Sequence, residues 1–232
     1  MADRPILFSS AMVRALLDGR KTQTRRIIEP CADPNVKSGD ILVSWPADQF
    51  VRKAARFRLR FREGDQLWVR ESIGRRTASL FGIEAKNGVE EACYIADDAD
   101  VVNADGFNIC PWWDRKGAIP GIHMPRWASR LTLTVTDVRV QRLQEISEAD
   151  AIAEGAGHAY GDAFHSGSAL TDRRRFELLW TDINGADSWD ANPWIAAVSF
   201  TVERRNIDAL PTDGAPVGST AAGKPRLAAD GS

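Results

Sequence analysis

The chain is poor in the residues that build covalent or metal frameworks. Its three cysteines, Cys31, Cys93 and Cys110, are odd in number and share no Cys-x-x-Cys spacing, which argues against a disulfide framework and a zinc ribbon. His123, His158 and His165 have no ligand spacing with one another or with the cysteines. There is no run of about 18 apolar residues to cross a membrane. The first ten residues lack the basic segment and apolar run of a secretory signal. No repeat of solenoid or propeller length is present. No tight carboxylate cluster stands outside the acidic stretch around Asp97, Asp98, Asp100 and Asp105, which weakens a metal-dependent nuclease reading. The expectation is a soluble cytoplasmic protein with reduced thiols, no cofactor and no membrane partner.

What is present is enough to fold. With 232 residues, 44% hydrophobic and 27% charged, the chain can bury a sizeable core. The net charge of -2 hides an asymmetry: residues 1–80 hold 16 Lys and Arg against 9 Asp and Glu, the remainder 14 against 23. A basic face for a nucleotide or nucleic acid is compatible with such a split.

A short helix is expected after Ser9 or Ser10, with Met12, Val13, Leu16 and Leu17 on one face and Gly19 as its left-handed stop. Residues 20–28 read as extended. Over 54–71, Phe57, Leu59 and Phe61 alternate with Arg56, Arg58, Arg60 and Arg62, a half-buried strand with an outer guanidinium ladder. That ladder faces phosphates if exposed and Asp or Glu if not. Gly64-Asp65 turns the chain into a second strand at 66–70. Residues 72–127 read as an insertion with little regular structure. A long strand with an irregularity at Asp137 follows over 131–143. Next come a helix capped by Ser147 and stopped at Gly155, and a helix over 171–183 with Phe176, Leu179, Trp180 and Ile183 facing the core. A strand at 194–202 closes the domain, taken as 1–205. The Pro/Gly/Ala-rich tail, 206–232, is expected to be disordered. Strands without regular βαβ units favour an α+β fold with a small mixed or antiparallel barrel.

Lys21 and Thr24 stand three apart among Arg20, Arg25 and Arg26. Neighbouring cations and burial both lower a lysine pKa, and a neutral amine can accept the proton of a hydroxyl nucleophile. The plainer alternative is a solvated basic stretch holding phosphate. Glu154, at a helix C-terminus with Asp150 four residues earlier, is expected to hold its proton more tightly than an ordinary glutamate. A solvent-exposed glutamate beside a glycine is its plainer reading. Eight tryptophans include Trp180 on a helix core face, Trp112-Trp113 in the insertion, and Trp68, Trp127, Trp189 and Trp194 near strand ends or turns, where stacking on a base is one role and rim packing the other. Arg126 and Arg130 bracket Trp127, the basic-aromatic mixture that nucleic acid favours.

Several stretches together resemble the ASCH domain of the PUA-like superfamily. They are Ile6-Leu7-Phe8, the string Gly19-Arg20-Lys21-Thr22-Gln23-Thr24-Arg25-Arg26, Gly64-Asp65 opening a strand, Ile146-Ser147-Glu148 through Glu154-Gly155, and the terminal strand. The match covers residues 5–28, 63–71, 131–156 and 175–202. Over its whole length, with the stretch Ile122-His123-Met124-Pro125-Arg126-Trp127, the chain resembles uncharacterised ASCH-like proteins of phages and prophages still more closely. The resemblance implies a PUA-like β-barrel with flanking helices. It further implies an amidohydrolase acting on an N4-acetylcytidine-like nucleoside or nucleic acid, with Lys21, Thr24 and Glu154 as catalytic triad. Substrate contacts are expected from Arg26, Trp68, Arg70, Glu71, His123, Arg126, Trp127 and Trp194. The rival class is a non-catalytic PUA-like module that binds RNA or a modified base.

Overall fold

A computed structural model describes residues 2–31, 41–45, 53–57, 59–77, 79–80, 83–84, 90–102, 118–156 and 170–209. In chain order its elements are β1 (Asp3–Leu7), α1 (Ser10–Leu17), β2 (Gln23–Ile27), β3 (Pro30–Cys31), β4 (Ile41–Trp45), β5 (Lys53–Phe57), β6 (Gln66–Arg70), β7 (Ile73–Thr77), β8 (Ser79–Leu80), β9 (Ile83–Glu84), β10 (Glu90–Tyr94), β11 (Thr132–Arg142), α2 (Glu148–Ala153), α3 (Asp172–Asn184) and β12 (Trp194–Glu203). Five of them form a mixed sheet in the order β1-β6-β11-β12-β2. β1 runs parallel to β6 and the other neighbours are antiparallel.

The α+β class expected from the sequence is therefore present. A closed barrel is not seen among the described residues. β1 and β2 are the edges of an open sheet, and the strands following β2 pair among themselves in a separate sheet, β3-β5-β4. No helix among the described residues is long and apolar enough to cross a membrane.

β12 explains how the layers stack. Its sequence is a nearly continuous apolar run because both faces are covered. Ala196, Val198 and Phe200 join Ile6, Phe8, Val13, Leu16 and Leu67 on one side. On the other, Ile195 and Ala197 join Leu143, Ile146, Phe176 and Trp180 beneath α2 and α3. Local signals set the ends of the helices. Ser147 Oγ accepts from Asp150 N (3.1 Å) at the start of α2, and Thr171 Oγ1 accepts from Arg174 N (3.2 Å) at the start of α3. The irregularity expected at Asp137 is a register shift between Val135 and Asp137 in the β11–β12 ladder.

Several expectations change. Phe57, Leu59 and Phe61 are buried and Arg60 and Arg62 exposed, but the hydrogen-bonded strand ends at Phe57. Ile183 is 54% exposed, not in the core; it stands in the last turn of α3 and borders a cavity with Met12 and Leu179. The 72–127 stretch holds an antiparallel pair, β7–β10, with its own small core of Ile73, Ala92, Tyr94, Val101, Ile119, Met124 and Ala128. The start of the expected tail packs on the body. Asn206 Nδ2 donates to the carbonyls of Arg126 (2.9 Å) and Ser129 (2.7 Å), and Ile207 is buried. Trp112, Trp113, Cys110, Asp105, His158, His165, Arg58, the side chain of Arg56 and residues 210–232 lie outside the described residues.

Candidate active site

The site forms where two helix ends meet the edge strand β2. α1 stops at Gly19, whose φ of +70° turns the chain back, and Arg20 N and Lys21 N both donate to Ala15 O (2.9 and 3.0 Å). α2 stops at Gly155, φ +77°, where a Cβ would stand 3.2 Å from that of Ala15 and 3.4 Å from that of Lys21. Glycine thus satisfies both the left-handed turn and the close approach. Thr22 bridges the two helix ends: its N–H donates to Ala153 O (2.8 Å), and its carbonyl accepts from Phe200 N (2.9 Å).

That junction fixes Lys21, one of the largest fully buried side chains among the described residues, against Glu154. Lys21 Nζ donates to Gln23 O (2.9 Å), Glu154 O (2.9 Å) and Glu154 Oε2 (2.8 Å). An ammonium has three N–H donors, so all are used and none is directed at Thr24. Arg25 Nη1 donates to Glu154 Oε1 (3.0 Å) and Gln23 Oε1 (2.6 Å). Its Nη2 lies 3.1 Å from Asp150 Oδ2, a charge contact outside hydrogen-bond geometry. Arg139 Nη2 donates to Asp150 Oδ1 (2.8 Å). Burial pushes the Lys21 ammonium below the ordinary lysine value; Glu154 opposes that push, while Arg26 and Arg25 add to it. Burial works against the Asp150 carboxylate, yet the Arg139 and Arg25 guanidinia hold it below the usual range.

Strand alternation divides the basic string. Arg25 faces α3, its guanidinium 5.6 Å from the Phe176 ring, and Arg26 faces the other core, 5.4 Å from the Phe8 ring. Two cavities meet here. A small one of ≈ 170 Å³ has Thr24, Glu154, Arg25, Arg26, Met12, Phe176 and Trp180 among its lining residues, and Trp180 Nε1 is buried without a hydrogen-bond partner among the described residues. A larger one of ≈ 670 Å³ has Arg26, Arg60 and Arg70 on its wall. Thr24 is 3% exposed.

The structure thus brings Thr24, Glu154 and Arg26 to one small cavity, with Lys21 bonded to Glu154 but not among the lining residues, and Arg70 on the adjoining cavity. It does not bring in the rest. Trp68 is buried and lies under the Arg70 guanidinium (4.9 Å). Glu71, 1% exposed, is held by Arg130 through Nε and Nη2, both at 2.8 Å. Arg130 also bonds Asp97 (2.8 and 2.9 Å) and lies 3.8 Å from the Tyr94 ring. Arg126 is tied to Asp208 and Asp3 (2.7 and 2.8 Å). Trp194 packs on Phe57 (5.1 Å) and under Arg142 (4.4 Å). His123 and Trp127 are exposed on short 3-10 turns. None of these six lines either cavity. Sequence reasoning missed Gln23 and Arg25 as partners of the pair. Their period-two spacing from Lys21 in an extended segment is the signal that places them together.

Neither models of protein families, nor curated proteins, nor solved structures match the chain.

Proposed function

We propose that the protein is an amidohydrolase that removes an acyl group from the exocyclic amine of a modified cytosine, and that its open sheet is the core of an ASCH-like, PUA-like domain. One observation carries the reading: a fully buried lysine donates to a glutamate, Nζ to Oε2 at 2.8 Å, and that glutamate lines a small cavity together with a threonine. A lysine whose proton is loosened by burial, next to a carboxylate that can take it, is a proton-transferring pair.

In this mechanism the proton on Lys21 passes to Glu154 Oε2, leaving a neutral amine. Lys21 gives up one of its carbonyl bonds as substrate enters, turns its lone pair to Thr24 and takes the hydroxyl proton. Thr24 Oγ1 attacks the acyl carbon. Arg26, which borders both cavities, steadies the developing oxyanion. Glu154 returns its proton to the exocyclic nitrogen as the C–N bond breaks. Glu154 then accepts a proton from the attacking water, Lys21 gives one to Thr24 Oγ1 as the ester opens, and the proton on Glu154 passes back to Lys21. The acyl group leaves as a carboxylate and a proton.

The test is conversion of N4-acetylcytidine to cytidine and acetate, followed by mass spectrometry with wild type, Lys21→Ala and Lys21→Arg. Wild type turns over; neither variant does, because alanine has no amine and a guanidinium does not release its proton. A second reading, a non-catalytic reader, is favoured by the closure of the Lys21 donors on protein acceptors, which also describes a structural ion pair. Binding of cytidine compounds without product supports it.

A further inference from the structure

Among the described residues, most clustered guanidinium groups meet carboxylates. Arg25 meets Glu154 and Asp150, Arg126 meets Asp3 and Asp208, and Arg130 meets Glu71 and Asp97. The ≈ 670 Å³ cavity breaks that pattern. Arg26, Arg60 and Arg70 all stand on its wall, and none of them is in an ion pair with a described residue. Arg26 Nη2 donates to Leu7 O (2.8 Å), and Arg70 donates through Nε and Nη2 to Met124 O (3.4 and 3.2 Å). Each guanidinium lies against a ring: Arg26 against Phe8 (5.4 Å), Arg60 against Phe61 (5.4 Å) and Arg70 against Trp68 (4.9 Å). Stacking fixes the group without using the in-plane N–H donors that match a phosphate. Glu29, the one carboxylate among the described lining residues, pairs with none of the three. Burial lowers the proton affinity of Arg26; Glu154 opposes this, and the charge of Arg60 adds to it. Three like charges thus stand together here, and no carboxylate among the described residues forms an ion pair with any of them.

The cavity falls in the size range of small-ligand sites, and it shares Arg26 and Ile27 with the small cavity that holds Thr24 and Glu154. We infer that the groove of Arg26, Arg60 and Arg70 is a phosphate site, holding the phosphate ester of a nucleotide unit whose modified base enters the Thr24 cavity. The preferred substrate of the proposed hydrolysis is then a nucleotide, the bare nucleoside being turned over with weaker binding. Placing the base rests on the amidohydrolase reading; capture of the phosphate does not.

Titration calorimetry compares cytidine, cytidine 5′-monophosphate and a short oligocytidylate on wild type, on the double variant Arg60→Gln, Arg70→Gln, and on Arg174→Gln. Arg174 lies on α3 at an exposed i,i+3 pair with Glu177, so its variant makes a like change of charge elsewhere. The monophosphate binds wild type at least about tenfold more tightly than cytidine. This gap narrows with salt, persists in Arg174→Gln, and falls to within about twofold in the double variant, whose folding is checked by its melting curve. A steeper salt dependence for the oligonucleotide than for the monophosphate assigns the site to a strand, and equal dependence assigns it to a mononucleotide. Equal binding of cytidine and monophosphate, no binding of either, or a gap that survives in the folded double variant overturns the inference. If the gap behaves as stated while neither N4-acetylcytidine nor its 5′-monophosphate is hydrolysed, the phosphate site stands and the amidohydrolase reading falls.

Discussion

Two glutamates are buried among the described residues, Glu154 at 5% and Glu71 at 1% exposure, and each is met by a cation at 2.8 Å. Around Glu71 the cation is a guanidinium, Arg130, held in two parallel bonds and braced by Asp97 and Tyr94. Arginine does not give up its proton, so this cluster has a single charge state on the cation side. Its parts come from the end of β6, the β7–β10 unit and the approach to β11, and it fastens the small second core to the main sheet. Around Glu154 one cation is a lysine whose proton burial has loosened, and a cavity with a threonine lies alongside. The chemistry of the cation and the presence of a cavity, rather than burial alone, separate a fastening from a reactive pair.

Substitution of the two cations separates the clusters most sharply. With Lys21→Ala, turnover of N4-acetylcytidine falls by about 10³-fold or more. With Arg130→Met, turnover per folded molecule, read by initial rates, stays at the wild-type level. Stability orders the two the other way. Arg130→Met leaves Glu71 buried with no cation and costs about 3–5 kcal/mol in urea unfolding. Lys21→Met costs about 1–2 kcal/mol, because the desolvation of the ammonium is removed and Arg25 stays on Glu154 Oε1 at 3.0 Å.

The pH dependence of stability has opposite signs in the two clusters. Lys21 has a lowered pKa when folded, so the unfolded chain binds more protons between the folded value and the ordinary 10.5. Stability therefore rises with pH across that window, and Lys21→Met flattens the rise. Burial raises the Glu71 carboxyl above 4.5, with the Arg130 bonds opposing. The folded chain there binds more protons, and the contribution of Glu71 is lost as pH rises from 4.5 through the folded value. Glu71→Gln removes that fall; urea midpoints across pH check both slopes. The smallest change is Tyr94→Phe, which deletes the bond from the Tyr94 hydroxyl to Ala128 O (2.7 Å) and lowers stability by about 1 kcal/mol.

Periodic and capped segments were legible without coordinates. α1 with its stop at Gly19, β2, β6, the shift at Asp137, α2 between Ser147 and Gly155, and β12 all follow from local rules. The sequence of β1 carries no strand signal. Asp3-Arg4-Pro5 has no alternation, and Pro5 is tolerated because β1 is an edge paired only to β6. β7 and β10 escaped for a similar reason: Ile-Gly-Arg-Arg-Thr and Glu-Glu-Ala-Cys-Tyr carry no period-two signal, and their pairing is set by packing under Met124 and Ile119. For the site, residue types and the Lys21-to-Thr24 string were legible. The contact of Lys21 with Glu154 was not, since it spans 133 positions and depends on two helix ends meeting through Thr22. Glu71 and Arg126 look like substrate contacts in the sequence because a carboxylate or an arginine near a strand end looks the same whether it faces a ligand or an opposite charge of the protein, here Arg130 for Glu71 and Asp3 with Asp208 for Arg126.

The central claim is that the buried Lys21–Glu154 pair serves the hydroxyl of Thr24. Its most direct measurement is the rate of N4-acetylcytidine hydrolysis by Thr24→Ser and Thr24→Ala at matched folded concentration. The account predicts that serine, which keeps a hydroxyl at this position, retains measurable turnover while alanine has none above background. An alanine variant as active as wild type would contradict it.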